Sequence, residues 1–264
     1  MDPITIKIRN SSGAILGECS GADTVNLVYR GVYREGDVIC LSAPDASFLV
    51  IQLDDVMNPA FVYLAKSPYV FMIPFGEKRL SYNPKAFTGE VHLLTARPAS
   101  KEEIAVRKNL AQNEYDTNVN PCCYPHASAN VETRNESVFA ARNAIDGNTA
   151  NHSHGNWPYE SWGINCDPNA AVKIDFGRAV SIDRIVLVTR ADFPHDNWWK
   201  QAALDYSDGT SEILSMKKSD LPHSFDVRKT GISWIRLHSL IPCENDPSPF
   251  PALTQVLVFG RESK

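Results

Sequence analysis

The stretch of sequence that decides the fold reads VKIDFGRAVSIDRIVLVT and runs from Val172 to Thr189. Its first part alternates apolar and polar residues up to Gly177, and its second part, Ile182–Thr189, is rich in Ile, Val and Leu. Both patterns are typical of β-strands, because branched side chains pack well on a pleated surface. We therefore predict two strands here, the first of which runs into a turn at Gly177.

The rest of the second half is also predicted to be β. The pair Asp208-Gly209 favours a tight hairpin turn, because both residues tolerate the backbone angles that such a turn needs. The further runs predicted as strands are residues 203–206, 212–215, 232–237 and 255–260.

The first 98 residues are predicted to be all-β as well. They contain seven short runs of β-branched or aromatic residues, separated by turn residues such as Glu35-Gly36-Asp37. This spacing is typical of a β-sandwich or a jelly roll. The seven runs are residues 4–8, 24–29, 37–41, 48–53, 60–64, 69–74 and 90–95.

A helix is predicted between the two halves. Ser100–Glu103 has the pattern of a capping box, which opens a helix, and we expect that helix to end near Asp116. The predicted fold class is thus all-β: two jelly-roll-like β-sandwich domains, residues 1–98 and 122–264, joined by a short helical linker, residues 99–121.

Composition narrows the choice of partners. The chain has 264 residues, is 43% hydrophobic and 22% charged, and carries a net charge of −5. A mildly acidic surface attracts neither nucleic acid nor an anionic membrane. No apolar run is long enough to cross a bilayer, so we expect no membrane insertion and no nucleic-acid partner.

The N-terminus and the cysteines bear on the compartment. Met1–Arg9 alternates like a strand and lacks the features of a signal peptide. We expect a cytoplasmic protein if the sequence is full length, and an extracellular one if a signal peptide has been removed. Six scattered cysteines are too few for a disulfide scaffold in a chain this long, which favours reduced thiols.

Two segments, Asn151–Trp162 and Arg190–Trp199, concentrate tryptophan among polar residues, Gly and Pro. An exposed indole is costly unless something covers it. Sugars are one natural cover, because their C–H faces stack on indole and their hydroxyls need hydrogen-bonding partners. Packing of the same tryptophans in the core is the alternative.

The order of short motifs in the second half resembles the discoidin, or coagulation-factor type C, family of galactose-binding-like jelly rolls, which includes bacterial carbohydrate-binding modules. The resemblance covers about residues 124–262. The motifs are Ala127–Asn130, Ala144–Asn148, Trp162, Ile174–Gly177, Ile182–Ile185 and Gln255–Gly260. The resemblance implies a non-catalytic carbohydrate-binding protein whose sugar site lies on loops at one end of the jelly roll.

That resemblance implies four roles in the sugar site: a histidine after an Asp-Gly turn, an arginine at a strand end, a polar residue soon after it, and aromatic platforms. The residues that match these roles are His152 or His154; Arg190; Asp192, His195 or Asn197; and Trp157, Trp198 or Trp199. An arginine can hold two vicinal hydroxyls at once. A salt bridge from Arg190 to Asp192 or Asp196 is the structural alternative.

The resemblance also implies a structural Ca²⁺ at the Asp-Gly-Asn loop. Asp146 would supply a carboxylate oxygen, Asn148 an amide or backbone oxygen, and Asn143 and Asn151 backbone oxygens. The family often has a glutamate five residues before the closing glycine, where this chain has Gln255, so fewer charges would hold the ion. A glycine turn held by hydrogen bonds is the alternative.

Two further functions stay open. A hydrolase or lyase acting on carbohydrate could use the acids Glu160, Asp192 and Asp196, or a metal held by His152, His154 and His195. The common nucleophile, zinc-protease and nucleotide-binding motifs are absent from the sequence. The third function is a protein–protein adaptor whose interface is the aromatic loops, and a protein could also bind the N-terminal domain.

Overall fold

Two hydrophobic cores organise the chain in this computed structural model, which describes residues 3–119 and 122–263. One core is built mainly by N-terminal strands and the other by C-terminal strands. The fold is all-β, as predicted, and both halves are β-sandwiches. Among the described residues, no helix has the length and hydrophobicity needed to span a membrane.

The N-terminal sandwich consists of a four-stranded sheet, in the order β2-β1-β4-β7, and a five-stranded sheet, in the order β10-β6-β5-β8-β3. Its strands are β1 (Ile4–Arg9), β2 (Ile15–Gly21), β3 (Val25–Arg30), β4 (Val38–Ser42), β5 (Ser47–Gln52), β6 (Ala60–Leu64), β7 (Tyr69–Met72), β8 (Val91–Pro98) and β10 (Cys123–Tyr124). All seven predicted runs are strands. Two further strands, β2 and β10, were not predicted. β2 contains two glycines and no alternating apolar face, and β10 is only two residues long.

The C-terminal sandwich is formed by strands in the order β12-β17-β13-β16-β14-β15, with β11 paired to β13 and β9 paired to β17. They are β9 (Lys108–Asn109), β11 (His126–Ala129), β12 (Trp162–Gly163), β13 (Val172–Thr189), β14 (Trp199–Tyr206), β15 (Ser211–Ser215), β16 (His223–Pro242) and β17 (Ala252–Glu262). The predicted hairpin joins β14 and β15.

Residues Val172–Thr189 form one long strand, β13, so the predicted division into two strands at Gly177 is wrong. β13 keeps pairing with β16 on both sides of Gly177, although its register shifts between Asp175 and Val180. Gly177 has a φ of +66°, and a Cβ there would lie 2.3 Å from the Tyr124 ring. This glycine therefore permits a bulge that bends the strand instead of ending it.

The predicted helix exists but is much shorter than expected. α1 spans only Lys101–Ala105, with the predicted capping box at Ser100 and Glu103. It ends well before Asp116 because the backbone turns to the C-terminal sheet. Leu110 N–H donates to Val258 O at 2.7 Å.

The segment between the domains is part of both cores. Leu110 and Ala111 are buried in the C-terminal core, whereas Tyr115 and Cys123 are buried in the N-terminal core. The C-terminal sheet includes β9, which lies inside the predicted linker, and it continues at His126, four residues after the predicted start of the domain. The predicted domain bounds therefore stay a prediction, and the last two residues of the predicted linker, 120 and 121, lie outside the described chain.

We expect a fragment of residues 106–264 to be more stable than one of residues 122–264, because only the longer one keeps β9 and Leu110 against β17. Burying one leucine contributes roughly 2–3 kcal/mol. Urea unfolding of both fragments measures the difference. Leu110→Ala in the longer fragment should remove much of the stability difference. Equal urea midpoints for the two fragments would show that residues 106–121 do not stabilise the C-terminal core.

Candidate functional site

Three loops meet at one end of the C-terminal sandwich: residues 151–161 before β12, residues 190–198 between β13 and β14, and residues 243–251 between β16 and β17. Backbone hydrogen bonds join the first two, since Ala191 N–H donates to Asn151 O at 2.8 Å. A side-chain bond joins the second to the third, from the Ser248 hydroxyl to His195 O. The loops therefore form one surface.

Arg190 forms a buried ion pair at the base of this surface. Its Nε lies 2.8 and 2.9 Å from the two carboxylate oxygens of Asp196, and its Nη2 donates to Phe250 O at 3.2 Å. Arg190 is 4% exposed and Asp196 is fully buried. The salt bridge from Arg190 to Asp196, which is the alternative to a sugar-binding role, is therefore present. Arg190 also lines a cavity of about 180 Å³.

Three flat rings stand side by side along this cavity. The rings of His154 and His195 are 4.1 Å apart at an interplanar angle of 7°, and His195 stacks on Phe250 at 5.4 Å and 16°. All three residues line the cavity. We refer to His154, His195 and Phe250 as the ring stack.

Carboxylates orient the two imidazoles of the ring stack. His154 Nδ1 lies 2.7 Å from Asp192 Oδ2, and His195 Nδ1 lies 3.1 Å from Asp196 Oδ1. Asp192 is itself held through its backbone N–H, which donates to Asp196 Oδ2 at 2.9 Å. The structure thus brings Asp192, His154, His195 and Arg190 together.

Other residues predicted for this site lie elsewhere. Trp199 is 1% exposed in the C-terminal core, so the prediction that it is a platform is wrong. Asn197 is buried and its amide donates to Cys243 O at 3.1 Å, which gives it a structural role. His152 is exposed and does not line the cavity, nor does the half-buried Trp198.

Phe250 is the functional candidate that the sequence analysis missed. It lies in a Pro-Ser-Pro-Phe-Pro segment, where an isolated aromatic residue between prolines marks an exposed loop, and it is 47% exposed. That local signal is weak, because only contact with His195, 55 residues earlier in the chain, makes Phe250 part of a site.

Trp157 lies in a second cavity of about 230 Å³, between the two domains. Its backbone N–H donates to Leu80 O of the N-terminal domain at 2.8 Å, and its side chain is 37% exposed. Tyr82, Glu114, Arg142 and Glu160 line the same cavity. Trp157 is therefore separated from Arg190.

A buried charge network surrounds this interdomain cavity. Arg142 donates to the backbone oxygens of Asp116 and Glu114 at 3.0 and 2.9 Å and lies over the Tyr82 ring at 4.4 Å. Burial raises the pKa of Glu114 to about 7. Burial, followed by the neighbouring Glu160 carboxylate, raises the pKa of Asp146 well above its usual range.

The acids considered for an enzyme therefore do not form one pair. Glu160 lines the interdomain cavity, whereas Asp192 and Asp196 lie at the ring stack. Asp196 is already bound to Arg190 on both oxygens.

The Asp-Gly-Asn loop is held by the side-chain amide of Gln255, which is almost fully buried. Its Nε2 donates to Asn143 O at 2.5 Å and to Asp146 Oδ1 at 2.6 Å, and its Oε1 accepts from Gly147 N–H at 3.0 Å. An N–H donor thus faces two of the oxygens that would bind the expected Ca²⁺.

The other two expected calcium ligands are engaged as well. Asn148 Oδ1 accepts from Ala150 N–H at 3.2 Å, and its amide nitrogen donates to Pro158 O at 2.6 Å. The backbone oxygen of Asn151, which is the expected ligand atom, accepts from Ala191 N–H at 2.8 Å. Because Ca²⁺ needs several converging oxygens, these residues do not fit the ion, and the hydrogen-bonded turn accounts for the loop.

We expect millimolar Ca²⁺ to leave the melting temperature of the wild-type chain unchanged. Gln255→Glu should be less stable without Ca²⁺, because a carboxylate would face two acceptor oxygens, and it should regain stability when Ca²⁺ is added. Thermal unfolding with Ca²⁺, Mg²⁺ or chelator tests both statements. Gln201→Glu on β14 is the matched control, and stabilisation of the wild type by Ca²⁺ would contradict the assignment.

The raised pKa of Glu114 makes stability depend on pH. When folding raises the pKa of a carboxyl group, the protonated group stabilises the folded chain. This stabilisation is complete at a pH below the pKa of the group in the unfolded chain, about 4.3, and it is lost as the pH rises through the pKa in the folded chain, about 7. The free energy of unfolding should therefore fall over this range, and Glu114→Gln should reduce the slope. Urea unfolding at several pH values measures it, with the exposed Glu90→Gln as control; an unchanged slope would contradict the assignment.

No family model and no curated protein matches the chain. The solved structures that are similar to it include the family 32 carbohydrate-binding module of C. perfringens NanJ in complex with galactose, at 16% identity over 58% of this chain and 99% of that one, with a TM-score of 0.39. A Streptococcus pneumoniae fucose-binding module, SpX-3, has 16% identity over 58% and 98%, with a TM-score of 0.42.

The lectin domain of Lectinolysin complexed with Lewis B antigen has 17% identity over 59% of this chain and 98% of that one, with a TM-score of 0.40. Carbohydrate-binding modules and lectin domains, the class that the C-terminal sequence resembles, are thus among the solved structures similar to this chain.

Proposed function

We propose that the chain is a non-catalytic carbohydrate-binding protein and that the cavity beside the ring stack is its sugar site. The observation that carries the proposal is the stack of His154, His195 and Phe250 along a cavity whose base is Arg190. Flat rings suit the C–H faces of a sugar, and the polar groups beside them suit its hydroxyls.

The hydrogen-bonding pattern supports the same assignment. Both imidazoles are oriented through Nδ1, so that Nε2 of each ring is available for a hydroxyl group. Arg190 is bound to Asp196 and Phe250 through Nε and Nη2, and its Nη1 takes no part in these bonds. A ligand hydroxyl can therefore be bound without disrupting the ion pair.

The size of the cavity limits the ligand. At about 180 Å³ it is smaller than the roughly 300–1,000 Å³ of pockets for drug-sized molecules. It suits one sugar ring, with the rest of a glycan exposed to solvent, and we expect weak binding because much of the ligand stays hydrated. Binding of a protein partner by the N-terminal domain stays a separate hypothesis.

Arg190→Ala is a poor test of sugar binding, although the sequence analysis predicts Arg190 as a sugar-binding residue. Its removal would leave the buried Asp196 carboxylate unpaired, which costs about 3–5 kcal/mol of stability. Phe250 is the better probe, since it is half-exposed on a loop.

We expect Phe250→Ala to weaken glycan binding about tenfold, because removing a stacking ring costs on the order of 1.4 kcal/mol. A glycan array would identify a ligand, and calorimetric titration in the presence of chelator would give its affinity for both proteins. Trp157→Ala is the matched control, since this aromatic residue lies in the interdomain cavity and should not affect binding.

Two outcomes would overturn the proposal. If Trp157→Ala abolished binding and Phe250→Ala did not, the sugar would lie between the domains. If no glycan bound the wild-type chain, the exposed rings would be better explained as a protein interface.

A further inference from the structure

Two residues of the ring stack, His154 and His195, form with Asp192 a cluster of metal-ligating side chains. His154, Asp192 and His195 each offer one metal-ligand atom, and these three atoms lie within 4.8 Å of one another. We propose that His154, Asp192 and His195 form a binding site for Zn²⁺. The zinc site shares His154 and His195 with the proposed sugar site, but it does not depend on sugar binding.

The spacing is close to what zinc needs. Zinc binds imidazole nitrogen and carboxylate oxygen at about 2.0–2.2 Å, so two ligand atoms of a tetrahedral site are about 3.3 Å apart. His154 Nδ1 and Asp192 Oδ2 are 2.7 Å apart. The ligand atom of His195 lies within 4.8 Å of the other two, so zinc binding needs a shift of at most about 1.5 Å at this exposed side chain.

The surrounding residues hold the ligands in place. Asp196 accepts from the backbone N–H of Asp192 at 2.9 Å and lies 3.1 Å from His195 Nδ1. A carboxylate on the second nitrogen of an imidazole fixes the ring and strengthens it as a ligand, an arrangement common in zinc proteins. Asp196 is fixed in turn by Arg190.

Local charge favours a divalent cation. The positive charge of Arg190 is balanced by Asp196, to which it is bound through both carboxylate oxygens. The carboxylate of Asp192 therefore remains as a negative charge beside the two imidazoles. Two imidazoles and one carboxylate suit Zn²⁺ better than hard cations such as Mg²⁺, which prefer oxygen ligands.

Three protein ligands leave a fourth position open, as in catalytic and not in structural zinc sites. His154 and His195 both line the cavity of about 180 Å³, so this open position can face the cavity. A water molecule or an oxygen atom of a bound ligand can therefore complete the coordination.

Two nearby residues allow a stringent control. His152 is an exposed histidine in the same loop as His154, but it is not part of the cluster. Cys166 is exposed and lines the same cavity, and it too lies outside the cluster. Adventitious zinc binding by a surface histidine or thiol would depend on these residues instead.

The test is calorimetric titration of Zn²⁺ into the 264-residue chain, stripped of metal and without sugar. We expect one equivalent to bind the wild type, and His154→Ala, His195→Ala and Asp192→Asn each to weaken binding at least about tenfold. His152→Ala, Cys166→Ser and the titration of Mg²⁺ are the controls. Melting temperatures of all variants, measured without zinc, show that the fold is retained.

Two results would overturn the zinc site. One is absence of Zn²⁺ binding by the wild type. The other is loss of binding in His152→Ala or Cys166→Ser with retention in the three cluster variants. Because the sugar titration is done with chelator and the zinc titration without sugar, failure of one proposal leaves the other intact.

Discussion

The loop surface depends on one buried ion pair, Arg190 with Asp196. The guanidinium binds the carboxylate through Nε and reaches Phe250 O through Nη2, so a single side chain ties the loop after β13 to the loop before β17. Taking both charges out of water is costly, and the pair is stable only because further hydrogen bonds satisfy it. Asp196 meets that need by accepting from Asp192 N–H and lying beside His195 Nδ1.

The same bonds place the ring stack. His195 is held between the Asp196 carboxylate and the Ser248 hydroxyl, which donates to its backbone oxygen. His154 comes from a different loop and is oriented by Asp192. A rigid base therefore supports half-exposed rings, and this combination suits a binding surface, because rings positioned before a ligand arrives lose little freedom when it binds.

A second set of buried polar groups joins the two domains. Arg142 is buried near the interdomain cavity and donates to backbone oxygens on either side of Tyr115, whose ring lies in the N-terminal core. The segment around Leu110 packs in the other core. The two sandwiches therefore share a connecting segment that is built into both, and the carboxyl groups around Arg142 have raised pKa values because they are buried with it.

The sequence by itself determined the class of fold and most of the strands, because alternation, branched residues and turn residues are local properties. It also indicated the two loops that carry Asp192, His154 and His195. Tertiary structure alone decided which side chains line the cavity at the ring stack. Trp199 is buried in the core, Trp157 lies in the interdomain cavity, and Phe250, from a third loop, stacks on His195. These outcomes depend on contacts between residues far apart in the chain. Gln255 shows the reason most clearly, since its amide reaches Gly147, 108 residues away, and no local pattern reports such a bond.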